Sequence, residues 1–139
     1  MTFKLVCIAN AVLSIAFGIA FVLSIAFGIA FVVAAEPAMG MYATEGAPGL
    51  TPLGLLITNL FGAALIGFGV VAFQARDAAD SVARRAIALG FVVGNTIATV
   101  LAVLGITSGA SNALGWSTVA LYAIFAVGFG MTGLAKSSA

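Results

Sequence analysis

Four polar residues lie well inside apolar stretches of the sequence: Asn59, Asn95, Thr96 and Thr99. A side-chain amide or hydroxyl group surrounded by hydrocarbon is costly unless it is hydrogen-bonded. One interpretation is a clamp between helices, which stabilises a membrane protein by about 0.6–2 kcal/mol. The other is a polar site or path for a neutral solute, a small ion or a lipid headgroup. Asn59 is predicted in the outer half of its helix and Asn95 near the middle of its own, so a direct bond between them requires that this offset in depth be small. The sequence leaves both interpretations open.

The remaining composition offers little for catalysis. The chain has no His, the commonest general base and metal ligand. The apolar stretches carry no charged residue except Lys4, at the start of the first stretch. Proton-coupled transport and ion pumping normally need an ionisable residue at membrane depth. We therefore expect no enzyme, no metal site and no cofactor.

Small residues recur every four positions in the third apolar stretch, at Ala86, Gly90, Gly94, Ala98 and Ala102. Such a ridge lets helix backbones approach closely in a membrane. The second and fourth stretches carry shorter versions, Ala63 with Gly67 and Ala126 with Gly130. We expect these residues to pack helices within one bundle, with a second subunit or a partner helix as the alternative.

The elements that position these residues are four apolar stretches, at residues 3–35, 52–73, 86–106 and 113–134. Of the 139 residues, 63% are hydrophobic and only 6% charged, whereas a soluble domain has about 25% charged residues. A helix of about 20 apolar residues crosses the hydrocarbon core. The sequence predicts an all-α fold, a four-helix transmembrane bundle that forms a single domain over residues 1–139.

The cations predict the orientation of the bundle. With four spans, all five fall at the same end: Lys4, Arg76, Arg84, Arg85 and Lys136. Cytoplasmic loops are enriched in Lys and Arg, so we expect both termini in the cytoplasm and the protein in the inner membrane of a cell. We expect the lipid bilayer to surround the helices of the bundle. A net charge of +1 gives no reason to expect a nucleic-acid partner.

The first stretch contains a tandem repeat, because residues 12–21 and 22–31 both read VLSIAFGIAF. With both copies the helix would be roughly 50 Å long at 1.5 Å per residue, against a core of about 30 Å. An unusually long helix 1 should therefore protrude, break near Gly18 or Gly28, or pack against another protein. Ten residues turn a helix by about 1000°, so the two copies should face directions about 80° apart. We expect one of them to contact a neighbouring subunit.

Three segments resemble a class of small uncharacterised bacterial four-helix membrane proteins. They are TNLFGAALIGFGVVAFQARD at 58–77, ARRAIALGFVVGN at 83–95 and GWSTVALYAIFAVGFG at 115–130. The resemblance implies a four-helix fold with a proline-bearing loop after helix 1. It implies no activity and no functional residue.

Abundant packing ridges beside an absence of reactive groups favour a structural function. The sequence predicts a non-enzymatic accessory subunit that packs in a homo-oligomer or a larger membrane complex. The alternatives are a small channel or facilitator for a neutral solute or small ion, and a binder of a lipid, quinone or pigment. In the channel alternative, Asn59, Asn95, Thr96 and Thr99 line the path.

Overall fold

The computed structural model describes residues 3–79 and 81–133, and the side chains within them except those of 3–6, 9–10 and 132–133. This part of the chain is helical and contains no strand. Five helices follow one another: α1 (Phe3–Val33), α2 (Ala35–Gly40), α3 (Pro52–Arg76), α4 (Val82–Thr107) and α5 (Gly115–Gly133). The prediction of an all-α fold is confirmed for these residues.

Three helices are long and apolar enough to cross a membrane, over Ala11–Val33, Pro52–Arg76 and Val82–Thr107. The apolar part of α5, Gly115–Met131, is shorter. The chain is therefore a multi-pass membrane protein. The predicted end of the last helix, at Leu134, lies outside the described residues, as does Lys136.

Helix α1 is continuous for 31 residues, or about 46 Å at 1.5 Å per residue. The predicted break near Gly18 or Gly28 is wrong, because both glycines keep helical backbone and Gly28 packs closely on α3. The helix ends at Val33, two residues before the predicted end. Pro37 explains this, since in a continued helix its ring would clash with the Val33 carbonyl group. Ala34 leaves the helical region, at φ −143° and ψ 47°, and α2 follows.

Two capping residues determine where α3 and α4 begin. The Thr51 hydroxyl group accepts a hydrogen bond from the Gly54 N–H at 3.0 Å, and Pro52 occupies the first helical position. The Ser81 hydroxyl group accepts from the Arg84 N–H at 3.2 Å. Helix α4 therefore starts four residues before the predicted residue 86. As a consequence, Arg84 lies in the first turn of α4 and not in a loop.

The helices associate as two pairs. Helix α1 packs along α3, α4 packs along α5, and the pairs meet mainly where α1 contacts α5. The main core lies near the end of the bundle that carries Arg76, Arg84 and Arg85, which we name the arginine end. Its buried side chains are Leu13, Phe17, Ala20, Ala72, Ala75, Ala88, Phe125 and Phe129.

Candidate functional site

A cleft opens between α3 and α4, because these two helices make little contact with each other. Its volume is about 1060 Å³. The Phe68 and Phe91 rings approach across it, with their centroids 6.4 Å apart. The cleft reaches residues of all five helices and of both loops at one end of the bundle, which makes it the candidate functional site.

The walls of the cleft are mostly apolar, with a few polar groups among them. Phenylalanines come from four helices: Phe27, Phe31, Phe61, Phe68, Phe91 and Phe125. Hydroxyl and amide groups come from Ser24, Tyr42, Asn95, Ser111, Thr118 and Tyr122. An apolar pocket with a small number of polar groups is typical of a binding site or path for a small species.

The small-residue ridge of α4 forms one wall of the cleft. Gly90, Gly94, Ala98 and Ala102 all line it. A Cβ added at Gly90 or Gly94 would meet no atom of another described element within 4 Å. Among the described residues, therefore, no neighbouring helix fills the ridge at these two glycines.

The shorter small-residue pairs lie in different surroundings. Ala63 and Gly67 are exposed on α3, and an added Cβ at Gly67 would meet no other described element within 4 Å. Ala126 and Gly130 are half-buried on α5, and a Cβ at Gly130 would lie 3.9 Å from Val92 Cγ2 of α4. Only the α5 pair thus lies beside a neighbouring helix of the same chain.

Other glycines bring α1 against α3. A Cβ at Gly28 would lie 2.8 Å from the Gly62 carbonyl oxygen, and one at Gly62 would lie 2.7 Å from the Gly28 oxygen. Seven residues further along α3, a Cβ at Gly69 would lie 2.8 Å from Ile25 Cγ1. Gly62 and Gly69 were not predicted as packing residues, because they are seven residues apart and do not form a four-residue pair.

The four predicted polar residues do not form one cluster. Asn95 donates to the Phe91 carbonyl oxygen at 2.6 Å, Thr96 to Val92 at 2.7 Å and Thr99 to Asn95 at 2.8 Å, so each bonds within its own helix. Of the four, only Asn95 lines the cleft. Asn59 is half-buried, and its Oδ1 atom has no hydrogen-bonding partner in the described part of the chain. No hydrogen bond joins Asn59 to Asn95 there.

Arg84 ties three helices together at the arginine end. Its side chain is only 4% exposed. The guanidinium group donates to the Ala75 oxygen at 3.1 Å, to the Arg76 oxygen at 3.1 Å and to the Ser14 hydroxyl group at 2.9 Å. It thereby satisfies carbonyl groups that the last turn of α3 leaves without helical partners. The guanidinium carbon also lies 5.9 Å from the centroid of the Phe17 ring.

These contacts of Arg84 were not predicted, because residue 84 precedes the predicted helix start at residue 86. Ser81 was the available signal, since Ser before an apolar stretch is a preferred N-cap. Moving the helix start to Val82 places Arg84 in the first turn of α4.

An exposed ion pair follows at the same end. Arg76 donates to the Asp77 carboxylate at 2.7 Å. The hydrogen bond from Arg76 lowers the pKa of Asp77 below its usual value. Both side chains are solvent-exposed, so this pair stabilises the end of α3 only weakly.

Asn112 joins the loops at the opposite end. Its Nδ2 amide donates to the Met41 oxygen at 2.8 Å and to the Ala43 oxygen at 2.9 Å. Its backbone N–H donates to the Tyr42 oxygen at 2.9 Å. The two helix pairs are thus connected by a polar residue at each end of the bundle, with the cleft between them. These bonds of Asn112 were not predicted, because a lone Asn in a short loop usually bonds only within its own turn.

The described residues contain no group of three or more His, Cys, Asp or Glu side chains arranged to hold a metal ion. The cleft contains only one carboxylate, that of Glu36, among its lining residues. Its chemistry is therefore that of hydroxyl and amide groups on an apolar surface.

Two curated bacterial proteins are similar to this chain. The fluoride-specific ion channel FluC of Burkholderia thailandensis is 37% identical over 84 residues, covering 60% of this chain and 65% of the relative. FluC of Albidiferax ferrireducens is 37% identical over 86 residues with the same coverage. The chain thus spans slightly less than two thirds of either relative. No protein-family model matches it, and no solved structure matches it.

These relatives correct the functional prediction. The prediction of an accessory or structural subunit is wrong, because both relatives are ion channels, and the comparison favours the channel alternative. The abundance of small-residue ridges favoured a structural function, but the ridge of α4 lines the open cleft, and no other helix of the described residues covers it at Gly90 and Gly94. The two relatives agree with the resemblance to small bacterial membrane proteins. That resemblance alone implied no function.

Proposed function

We propose that this protein is a channel for a small anion, and that fluoride is the ion it conducts. The similarity to two fluoride-specific channels is the observation that carries the proposal. The cleft supports it independently, since it combines apolar walls with hydroxyl and amide donors. Conduction involves no bond rearrangement and needs no general base, which agrees with a sequence that contains no His.

The donors suit an anion that must lose part of its hydration shell. Hydroxyl groups and amide N–H groups donate hydrogen bonds, and in a pore they replace bound water. Ser24, Asn95, Thr118 and Tyr122 bring such groups from three helices to one cleft. None of them carries a full charge, so an ion that binds here is able to leave again.

A second copy of the chain is the proposed cover for the open side of the cleft. An ion path that is open to lipid along its length is unfavourable, because hydrocarbon does not solvate an ion. In the described part of the chain no other element lies within 4 Å of a Cβ added at Gly90 or Gly94, and a small-residue ridge allows close approach of another helix. We expect Gly94→Leu to weaken self-association in detergent without unfolding the monomer. Dimers that survive this change would contradict a contact at the ridge.

The proposed location is the cytoplasmic membrane of a bacterium, with α5 as a fourth span and the arginine end in the cytoplasm. The charge distribution supports this orientation, because Arg76 and Arg85 lie at one end and Glu36 and Glu45 at the other. Single cysteines at Ala47 and Ala78, in a Cys7→Ala background, test it in intact cells. An impermeant thiol reagent should label only the cysteine at Ala47. Equal labelling at both positions would contradict a single orientation.

Ion flux from liposomes tests the function directly. Vesicles that contain the protein should release fluoride faster than empty vesicles, and chloride release should stay at the empty-vesicle rate. Asn95→Leu should abolish the fluoride flux because it removes an amide donor from the cleft. Thr96→Val is the matched control, since Thr96 is exposed and bonds within its own helix. Folded protein without fluoride flux would contradict the proposed function.

A further inference from the structure

The segment between α2 and α3 lies across one end of the cleft. We name residues 41–50 the strap. The cavity is lined on one side by strap residues and on the other by the loop between α4 and α5. The strap residues are Tyr42, Ala43, Ala47, Pro48, Gly49 and Leu50, and the loop residues are Ala110 and Ser111. A displacement of the strap would therefore open this end of the cleft.

The strap has little internal structure to hold it in place. Its turns contain backbone bonds from Ala43 to Gly40 and from Ala47 to Thr44, at 3.2 and 3.0 Å. Gly46 adopts a positive φ of 76°, and an added Cβ there would meet no described atom within 4 Å. These bonds shape the strap locally and do not attach it to the other helix pair.

Asn112 provides the attachment between the strap and the loop that precedes α5. Both N–H bonds of its side-chain amide are used, toward the Met41 and Ala43 oxygens. Its Oδ1 accepts from the Leu114 N–H at 2.9 Å, which fixes the orientation of the amide. In the described part of the chain, every hydrogen bond between the strap and this loop involves Asn112.

We propose that Asn112 is a positioning residue that holds the strap over the end of the cleft and so controls the access of water and ions to it. The proposal rests on the proposed channel function, because it makes the cleft the ion path. Asn suits this position since one planar group donates twice and accepts once. Asp is its closest replacement in shape, but an ionised Asp has no donor and would repel the two strap carbonyl groups.

Access to the cleft is measurable without ion flux. A single cysteine at Ala98, on the cleft wall, is placed in a Cys7→Ala background, and its reaction rate with a water-soluble maleimide is followed in liposomes. Asn112→Asp and Asn112→Ala should each raise this rate by roughly tenfold, because two hydrogen bonds of the closed strap are lost. Ser117→Ala is the control, since the Ser117 hydroxyl group bonds only to Leu114 of the same turn.

The outcomes separate this proposal from the channel function. Faster labelling in both Asn112 variants, but not in Ser117→Ala, supports the strap as the access control, and fluoride flux should rise in parallel. Unchanged labelling in folded Asn112 variants overturns it. Faster labelling with no fluoride flux in any variant, including the wild type, supports the strap and contradicts the channel.

Discussion

The two copies of the ten-residue repeat in α1, at residues 12–21 and 22–31, are identical in sequence and differ in what they contact. Phe17 of the first copy is fully buried, with ring centroids 5.7 Å from Phe91 and 4.9 Å from Phe129. Its counterpart Phe27 is half-buried and lines the cleft, and its ring centroid lies 6.2 Å from that of Phe31. The first copy therefore contributes to the core, whereas the second contributes a wall of the cleft.

For the glycines the difference between the copies is reversed, because the glycine of the second copy is closely packed and that of the first copy is not. Gly28 of the second copy lies against the Gly62 backbone of α3, whereas a Cβ at Gly18 would have only the Arg76 side chain within 4 Å, at 3.5 Å. The rotation of about 80° between the copies explains both differences. Equivalent residues point in different directions at different heights, so position relative to α3 and α5 decides what each one does. Both copies find neighbours within the chain, so the expectation that one must face another subunit is not needed to account for them.

Removal of one copy should have the largest effect. Deletion of residues 12–21 and deletion of residues 22–31 give the same sequence, because the two copies are identical. The single remaining copy must then make the contacts of both. Helix α1 shortens by about 15 Å, and the remaining copy cannot reach the Phe129 core and the Gly62 contact together. We expect a chain that still inserts in the membrane but unfolds at a much lower temperature in detergent. Retention of wild-type stability and flux would show that the second set of contacts is dispensable.

Alanine substitution of the paired phenylalanines should separate the core from the cleft. Phe17→Ala leaves a cavity beside the fully buried Phe129 ring, which typically costs about 3–5 kcal/mol. Phe27→Ala removes a half-buried ring from the cleft wall and should cost about 1 kcal/mol. Urea or thermal unfolding in mild detergent measures both. Equal losses of stability would mean that the two copies are equivalent after all.

The glycine pair tests the close approach of α1 and α3. In Gly28→Ala the new Cβ would lie 2.7 Å from Ile66 Cγ1 and 2.8 Å from a backbone oxygen, so the helices must separate at a cost of about 1–3 kcal/mol. Gly18→Ala meets only a flexible arginine side chain and should be neutral, or stabilising by up to about 1 kcal/mol through helix propensity. Thermal unfolding of the two variants checks the sign of each change. Destabilisation by Gly18→Ala alone would reverse the comparison.

The features that depend on local sequence were predictable. Helix α3 begins at Pro52 as predicted from the apolar stretch, because Thr51 and Pro52 form a start signal that involves neighbouring residues only. The cleft was not predictable, because it depends on which helices associate. Gly90 and Gly94 line the cleft, and their four-residue spacing does not indicate whether α4 packs on α3 or on α5.

Arg84 illustrates a second reason why part of the structure was not predictable from the sequence. A shift of four residues in the predicted start of α4 moved its side chain from solvent to the interior. Its acceptors on Ala75, Arg76 and Ser14 come from two other helices. Charge alone predicted an orientation of the bundle, whereas the contacts of the guanidinium group required the tertiary structure.

Ser14 and Ser24 occupy equivalent positions in the two copies, and their substitution should separate stability from fluoride flux. The larger of the two changes in stability should be smaller than in the phenylalanine and glycine pairs. The Ser14 hydroxyl group donates to the Arg76 oxygen at 2.8 Å and accepts from Arg84 at 2.9 Å. Ser14→Ala should destabilise the fold by about 1–2 kcal/mol, because a buried arginine loses one acceptor. Ser24 lines the cleft, so Ser24→Ala should leave unfolding unchanged and reduce fluoride flux from liposomes. If Ser14→Ala lowered flux without lowering stability, the first copy would also belong to the ion path. The division between a structural copy and a cleft-lining copy would then be incorrect.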